Sequence, residues 1–464
     1  MRVRQFFSLF CAALLLLCGL AAPVCAESEQ KNDPVDESPL YALPADLSLN
    51  ASSMLLVGLG TDPADDLPLI GKNETTLRSP AALVRLAVGI CAMDLIEEQK
   101  LDLDKDTGTY HSGCFDLIAG TGVSVLELPL GAKLTLRDLL TASMIQTAGD
   151  AVVTLAVALA GSHAAFVQRM NETVQALGCT QTSFSNVTGL EGGSQYTTCV
   201  DLYRIMRRAL SYPELKTMMG LTEYTVKPVS GGKPMTLYNT NELIRPASPN
   251  YSADCIAGRT GYTSESGRCV VSVAQQNGYE YMAIVLGCPD RNAAGAGGLQ
   301  YDDSRALYKW AFQNLNYTTL VAKGAVVTRV PVSLSLAADS VTLVAAEDVA
   351  AVLPNDLDVQ TVRRVVLCNS TEEAPIEKGK VYGKLELYLN LDRKIGEVEL
   401  VASEGVSRSQ LLYVWQQISG FFSSPWFYIA VGGLLILLFG YMLLNILHNR
   451  NRRKNNRRRV RTYK

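Results

Sequence analysis

The sequence predicts an α+β domain, a small all-β domain and a C-terminal transmembrane helix. In residues 48–317, short apolar strand patterns stand at both ends and helical patterns lie between them. Residues 318–405 alternate apolar and polar positions between turn residues, which is typical of an all-β module. Residues 426–447 are uncharged and apolar. A chain of 464 residues has room for two or three domains, each with its own core.

The first 26 residues have the pattern of a signal peptide. Two arginines precede an apolar segment, and the compact residues at positions 24 and 26 suit cleavage after Ala26. Lipid attachment at Cys25 is an alternative, but Val24 is bulky for the position before a lipid-bearing cysteine. Residues 27–47 are polar and contain proline, so we predict a linker there.

The segment from Trp426 to Leu447 is long enough to cross a bilayer, which needs ~20 helical residues. Nine Lys and Arg residues and no acidic residue follow between Arg450 and Lys464. By the positive-inside rule, we expect residues 448–464 to lie in the cytoplasm and the main domains to lie outside. A nucleic-acid-binding tail is an alternative, but a basic segment directly after a membrane span is better explained as a topology signal.

The charge balance disfavours nucleic acid as a partner of the main domains. The formal net charge is −3, and it includes nine positive charges from the tail and two from the first 26 residues. Residues 27–449 therefore carry about −14. An acidic body of this kind does not attract phosphate backbones.

The cysteine pattern predicts neither a metal site nor a cofactor. Eight cysteines follow residue 26, and they include no C-x-x-C pair and no histidine at ligand spacing. Cys255 and Cys269 flank a predicted hairpin turn, so a disulfide between them is one possibility outside the cytoplasm. Burial as small apolar side chains is the better interpretation for most of the cysteines.

The N-terminal half of the α+β domain is predicted to begin with a hairpin and a buried helix. Residues 51–60 form an apolar run and residues 67–74 are its candidate partner strand. Ser79 followed by Pro80 is a helix-start signature, because a hydroxyl can cap free N–H groups and proline suits the first turn. The predicted helix continues to Gln99.

The remaining elements follow from periodicity. We predict helices at 134–160 (interrupted around 146–149), 162–177, 199–210 and 302–315, and strands at 256–261, 268–275 and 281–287. Five alternating segments between 326 and 401 predict the strands of the all-β module. Residues 406–425 predict an amphipathic connector to the membrane.

Three stretches resemble one family, the low-molecular-weight penicillin-binding serine D-alanyl-D-alanine carboxypeptidases. Residues 160–190 end in F-S-N-V-T-G-L, which is similar to the family's F-x-N-x-T-G-L loop. T-N-E-L-I and G-R-T-G-Y-T-S-E-S-G-R resemble the K-T-G strand and its neighbours, and A-P-I-E-K-G-K-V-Y-G-K-L resembles the accessory β domain. The resemblance covers roughly residues 45–405. It implies a penicillin-binding/β-lactamase-like transpeptidase fold, an antiparallel sheet packed with helices, at a bacterial cell membrane.

The first catalytic motif of that family is not intact here. In P-A-S-x-x-K the serine attacks the D-Ala-D-Ala carbonyl and the lysine takes its proton. The matching positions in this chain are Ala82 and Arg85. A methyl group cannot attack, and an arginine does not lose its proton in proteins. Ser79 is a poor substitute nucleophile because it precedes the predicted helix, no lysine follows it one turn later, and a capping role explains it.

The other two motifs are partly retained. S-x-N falls on Thr147, Ala148 and Gly149, so a hydroxyl remains but the substrate-holding amide is lost. K-T-G becomes Arg259, Thr260 and Gly261. The resemblance implies that this cation and hydroxyl face a substrate carboxylate, which an arginine can hold with two parallel hydrogen bonds. The alternative is that Arg259 pairs with a surface acid.

We therefore expect a membrane-anchored, non-catalytic homologue that binds the peptidoglycan stem peptide or a cell-envelope protein. The alternative is an active D-Ala-D-Ala carboxypeptidase with an atypical nucleophile. Loss of a nucleophile that forms a covalent intermediate usually lowers the rate by several orders of magnitude, which favours the first reading.

Overall fold

The computed structural model of the protein describes residues 38–63, 66–191, 194–355, 357–389 and 393–460. The predicted signal peptide, the alternative of a lipid at Cys25 and most of the predicted linker lie outside the described residues.

The α+β domain contains the following elements among its described residues. Its strands are β1 (Ser53–Leu59), β2 (Leu67–Lys72), β3 (Thr107–Thr109), β4 (Lys133–Thr135), β5 (Glu223–Val226), β6 (Met235–Tyr238), β7 (Cys255–Thr263), β8 (Gly267–Gln276) and β9 (Tyr279–Cys288). Its helices are α1 (Val84–Gln99), α2 (Ser112–Asp116), α3 (Leu136–Ile145), α4 (Gly149–Ala160), α5 (His163–Ala176), α6 (Cys199–Leu210), α7 (Pro213–Gly220) and α8 (Leu299–Asn314).

Strands from both ends of the domain form one antiparallel sheet in the order β2-β1-β9-β8-β7. This confirms the predicted arrangement of terminal strands with helices inserted between them. Both faces of the sheet are covered: Leu55 and Val57 of β1 belong to one core, and Met54 and Leu56 belong to the other. The continuous apolar run of β1 follows from this double burial. β7 forms one edge of the sheet.

Helix α1 lies at the centre of the helical layer, in contact with α3, α4, α5 and α6. Eleven of its 16 residues are buried, which explains why its sequence is apolar on every side. The prediction that Ser79 caps this helix is wrong. A 3₁₀ turn over Ala81–Leu83 comes first, α1 begins at Val84, and no side chain caps either segment. The delay follows from Ala81, whose φ of 45° is incompatible with a helix start at Pro80.

Part of the segment predicted as a linker lies along the sheet. The N–H groups of Leu40 and Tyr41 donate to the carbonyls of Pro68 and Leu69 at 2.9 and 2.8 Å. Apolar side chains of residues 40–49 pack against the second core. Residues 38–47 therefore cover β2 and close the second edge of the sheet.

The all-β module follows directly from α8. Its strands are β10 (Leu315–Val321), β11 (Val326–Ser333), β12 (Ser340–Ala345), β13 (Val349–Pro354), β14 (Arg363–Cys368), β15 (Glu372–Glu373), β16 (Val381–Leu389) and β17 (Arg393–Ala402). β10 pairs with β13, and the other six strands form a sheet in the order β14-β16-β17-β12-β11-β15. The five predicted strands are confirmed. β10, β13 and β15 were not predicted.

Two helices end the described chain, α9 (Gln410–Ser423) and α10 (Pro425–Val460). Most of the apolar side chains of α9 are exposed, including Leu411, Val414 and Trp415. Within α10, Pro425–Leu447 is long and apolar enough to cross a membrane, with a mean hydropathy of 2.3. The predicted C-terminal apolar helix is thus confirmed as an element of the fold.

All eight cysteines in the described residues are free thiols, and seven of them are buried. The possible disulfide between Cys255 and Cys269 is wrong. The two residues lie on neighbouring strands, but Cys255 pairs with Ala274 and Cys269 pairs with Gly261. The turn lies between Thr263 and Gly267, so a residue near the start of β7 cannot face one near the start of β8.

Candidate active site

A cavity of about 630 Å³ opens where the edge strand β7 meets the 3₁₀ turn before α1. Ala82, Thr147, Thr260 and Gly261 lie in its wall. Four of the seven candidate residues are therefore brought together from three distant parts of the chain. The other three, Arg85, Gly149 and Arg259, are buried behind the wall.

Glycine at position 261 is required by a close contact between β7 and the 3₁₀ turn. A Cβ on Gly261 would lie 3.0 Å from the nitrogen of Ala82 and 3.2 Å from the nitrogen of Leu83. These are tighter than ordinary contacts, so any side chain would push the strand away from the turn. The glycine thus keeps the cavity wall continuous between Ala82 and Thr260.

A loop that had no predicted site role holds the 3₁₀ turn in place. Oδ1 of Asn186 accepts hydrogen bonds from the N–H groups of Thr188 and Gly189, at 3.1 and 2.7 Å. Gly189 has a φ of +80°, and a Cβ there would lie 2.1 Å from the carbonyl oxygen of Ala81. The loop therefore packs directly on the one residue of the turn that has a strained backbone. In the sequence, the F-S-N-V-T-G-L motif indicates the family resemblance, but it does not by itself predict this contact with the 3₁₀ turn.

Ala82 presents a half-buried methyl group to the cavity. Ser79, the substitute nucleophile weighed from sequence, is not among the residues that line this cavity. Two of the cavity hydroxyls are engaged in hydrogen bonds: Thr147 donates to the carbonyl of Gln146 at 2.5 Å, and Thr260 bonds to Thr240 at 2.8 Å. Among the described residues that line the cavity, none is a lysine or a histidine.

Arg85 is fully buried, with 0% of its surface exposed. Its Nη1 donates to the carbonyl of Ala148 at 3.2 Å and its Nη2 to the carbonyl of Thr147 at 3.4 Å. Burial lowers the pKa of this guanidinium, the charge of Arg259 lowers it further, and the charge of Asp150 partly offsets both. Arg85 thus braces the turn between α3 and α4 through the carbonyl oxygens of two successive residues.

Gly149 is covered by the segment before β4. Its N–H donates to the carbonyl of Ser124 at 2.7 Å, and the side chain of Val123 lies against its Cα. Asp150 holds the same segment, because its carboxylate accepts from the N–H groups of Leu126 and Leu128 at 2.9 and 3.2 Å. Burial raises the pKa of Asp150, and these backbone bonds oppose the rise. Val123 and Ser124 were not predicted from sequence, since no periodic pattern marks this stretch.

Arg259 is only 1% exposed, so the alternative that it pairs with a surface acid is wrong. None of its three guanidinium nitrogens has a hydrogen-bond partner among the described residues. Burial lowers its pKa to about 9, which still leaves the side chain charged at neutral pH. Side chains of neighbouring strand residues point to opposite faces of the sheet. Thr260 therefore faces the cavity, whereas Arg259 points behind its wall.

The outer rim of the cavity is polar. Arg268 pairs with Asp290 and lies 3.9 Å from the ring centre of Tyr262. Tyr301 donates to the carbonyl of Thr240 at 3.0 Å and closes the floor beside Thr260.

Among the described residues, no group of three His, Cys, Asp or Glu side chains could hold a metal ion. The cavity is therefore built for a polar ligand, and its wall offers hydroxyls without an adjacent proton acceptor of the amine or imidazole type.

Two family patterns match the chain. Residues 43–290 match the family described as D-alanyl-D-alanine carboxypeptidase, and residues 316–408 match the C-terminal domain of penicillin-binding protein 5. The first match alone covers more than half of the 464 residues.

Curated relatives are similar over most of their length. The chain is 25% identical over 358 residues to the D-alanyl-D-alanine carboxypeptidase DacF of Bacillus subtilis, covering 76% of this chain and 84% of DacF. It is 26% identical over 387 residues to DacC of Escherichia coli, covering 83% of this chain and 88% of DacC.

Solved structures share the fold. The D-alanyl-D-alanine carboxypeptidase DacD from Francisella tularensis superposes with a TM-score of 0.61 at 22% identity, over 79% of this chain and 96% of that one. Penicillin-binding protein 5 from Haemophilus influenzae gives a TM-score of 0.61 at 21% identity, over 78% and 98%.

Proposed function

Because this chain belongs to the D-alanyl-D-alanine carboxypeptidase family, we propose that it is a non-catalytic member that binds the peptidoglycan stem peptide. One observation carries the proposal. Position 82, where the cavity wall meets the start of α1, has a methyl group, and position 85 has an arginine that bonds backbone carbonyls. The family chemistry needs a nucleophile and a proton acceptor there, and these residues supply neither.

An active enzyme with an atypical nucleophile has less support. A hydroxyl becomes an effective nucleophile when a base stands within hydrogen-bond reach. Thr147 and Thr260 instead bond to a backbone carbonyl and to a second threonine. Among the described residues of the wall, the remaining candidate bases are carboxylates of the rim: Asp290 pairs with Arg268, and Glu242 accepts from Ser248 and Asn250.

The edge strand β7 supports the binding role. Residues 260–263 line the cavity, and an extended peptide can add to a free strand edge through main-chain hydrogen bonds. Thr260 would supply a hydroxyl to the terminal carboxylate of such a peptide. Arg259 lies behind the wall, so its charge would act on that carboxylate as a potential rather than through direct contact.

The proposal is tested with the full-length chain purified in detergent. Incubation with a fluorescent penicillin, followed by intact mass measurement, should give no acyl adduct. A peptide ending in D-Ala-D-Ala should bind saturably, and its C-terminal amide should bind about tenfold more weakly because a charge-assisted hydrogen bond is lost. Thr260→Val, which keeps the side-chain shape, should weaken the acid peptide and leave the amide nearly unchanged.

Each result distinguishes the proposed function from one of its alternatives. A stoichiometric penicillin adduct would overturn the non-catalytic assignment. Absence of both the adduct and peptide binding would overturn the stem-peptide assignment and favour a cell-envelope protein as the partner.

We further propose that Pro425–Leu447 spans the bacterial membrane, with the basic tail in the cytoplasm and the two domains outside. The apolar helix and the nine positive charges that follow it support this topology. Cys368 is the one exposed cysteine among the described residues, so it reports on the location of the β module. A membrane-impermeant maleimide should label wild-type spheroplasts and not a Cys368→Ser variant. Labelling that requires lysis would contradict the topology.

A further inference from the structure

Two arginines lie buried behind the cavity wall without a carboxylate bonded to either. Arg85 and Arg259 are 0% and 1% exposed. Nε of Arg85 and all three guanidinium nitrogens of Arg259 have no hydrogen-bond partner among the described residues. Buried polar groups are almost always paired, and buried charges are normally compensated. Two cations in one place with four unpaired nitrogens therefore need an explanation.

The fold brings the two side chains to the same layer. Arg85 follows Ala82 by one helical turn, and Arg259 precedes Gly261 by two positions on the same face of β7. Gly261 and Ala82 are in contact, and the charge of Arg259 acts on Arg85. Ala257, on the same face of β7, belongs to the core that also contains α1. The guanidinium groups thus share the space between β7 and α1.

The nearest carboxylate is already committed to the backbone. Asp150 accepts hydrogen bonds from the N–H groups of Leu126, Leu128 and Ala151, and it makes no hydrogen bond to Arg85 or Arg259. Its charge affects Arg85, whereas burial is the cause of the lowered pKa of Arg259. Loss of a proton does not relieve the problem, because arginine stays charged in proteins. One acid held by three N–H groups does not neutralise two guanidinium groups.

We propose that a small inorganic anion of chloride size binds between Arg85 and Arg259 and acts as their counter-ion. The unpaired N–H groups of the two arginines supply donors to such an anion, and its single negative charge compensates the second arginine. A monatomic anion only accepts hydrogen bonds, which suits guanidinium groups because they only donate. This inference does not depend on stem-peptide binding, because the anion lies behind the wall that the peptide would touch.

The test measures thermal unfolding of the full-length chain in detergent while chloride replaces gluconate at constant ionic strength. Gluconate has the same charge as chloride but is much larger, so the exchange at constant ionic strength separates specific binding of chloride from screening. A ligand that binds only the folded state raises the unfolding midpoint with its concentration. We expect a saturating rise of about 3 °C by roughly 200 mM chloride. Equilibrium dialysis of the chain against isotopically labelled chloride should find one chloride retained per chain above the free concentration.

Three variants locate the effect. Arg259→Met and Arg85→Met each remove one guanidinium group. Each should abolish the chloride-dependent rise in the unfolding midpoint and the retained chloride. Arg268→Gln removes an exposed arginine from the rim of the same cavity and should leave both intact. If Arg259→Met does not fold, Arg259→Lys keeps the charge and should retain a weaker chloride response.

The results separate this inference from the proposed function. No chloride-specific rise together with no retained chloride in the wild type would overturn the anion site, as would an unchanged response in Arg259→Met. If a D-Ala-D-Ala peptide acid alone gives the rise and its amide does not, the anion is the peptide's carboxylate and the inorganic assignment is wrong. A chloride response without any peptide binding would support the anion site and overturn stem-peptide binding.

Discussion

Val123 occupies the space beside Gly149: a Cβ on Gly149 would lie 2.6 Å from Cγ1 of Val123 and 3.3 Å from the carbonyl oxygen of Ser124. The S-x-N resemblance aligns Gly149 with an asparagine, and a side chain of that size does not fit here without movement of the segment that covers Gly149. The glycine and the closed space above it are therefore coupled.

Gly149→Asn is expected to lower the free energy of unfolding by about 1–3 kcal/mol, because overpacking forces neighbouring side chains and backbone to shift. Val123→Ala in the same chain should recover a large part of that loss, whereas alone it should have a small effect because Val123 is half-buried. Urea denaturation of the four proteins gives the coupling free energy. Full stability of Gly149→Asn alone would contradict the contact.

The 3₁₀ turn before α1 depends on Gly189. Gly189→Ala should destabilise the protein by at least about 3 kcal/mol, since the new Cβ would lie 2.1 Å from the carbonyl oxygen of Ala81 and φ is +80°. Gly178→Ala is the matched control: its φ is +77°, but a Cβ there meets nothing within 4 Å. It should cost about 1 kcal/mol, the conformational part alone. Equal losses at both positions would contradict the packing of the loop on the turn.

Restoring the first motif should restore part of the chemistry. Ala82→Ser/Arg85→Lys should increase the rate of penicillin acylation by at least about 10²-fold over the wild type, because it supplies both nucleophile and proton acceptor. Ala82→Ser alone should remain far slower, since Arg85 cannot accept the proton. Intact mass against time measures each rate. If the double variant folds and forms no adduct, position 82 is not the nucleophile position.

The β module should lose stability in acid through Glu386. Burial alone would raise the pKa of this carboxyl, but hydrogen bonds from Lys384, Tyr388 and Lys394 lower it from 4.5 to about 2. Between these values the unfolded chain binds more protons than the folded one, so stability rises with pH in this window and is lost as pH falls through it.

Glu386→Gln should therefore lower the urea midpoint at pH 7, and its difference from the wild type should shrink as pH falls from about 4.5 to about 2. Glu399→Gln, an exposed carboxylate on β17, is the control and should change stability by less than about 0.5 kcal/mol. A difference between wild type and Glu386→Gln that does not change with pH would count against the ion-pair cluster.

Periodicity and residue chemistry were enough to predict the strands β1, β2, β7, β8 and β9 and the long helices. These elements bury apolar side chains at regular spacing, so the signal is local in sequence. The short strands β3–β6, with three or four residues each, have no such pattern and were missed. The predicted start of α1 is wrong because the Ser-Pro signature is local, whereas Ala81, whose φ is positive, packs against Gly189 more than 100 residues later.

Residue identity alone places a methyl group at Ala82 and a guanidinium at Arg85, the positions that resemble the family's serine and lysine. The surroundings of these groups follow from packing between distant parts of the chain. Arg259 is buried without an acid because its side chain points from β7 toward α1. Gly149 is covered by Val123 and Ser124, and Asp150 holds the residues that follow them through the N–H groups of Leu126 and Leu128. Such contacts join residues far apart in the chain, so they depend on packing and leave no periodic trace in the sequence.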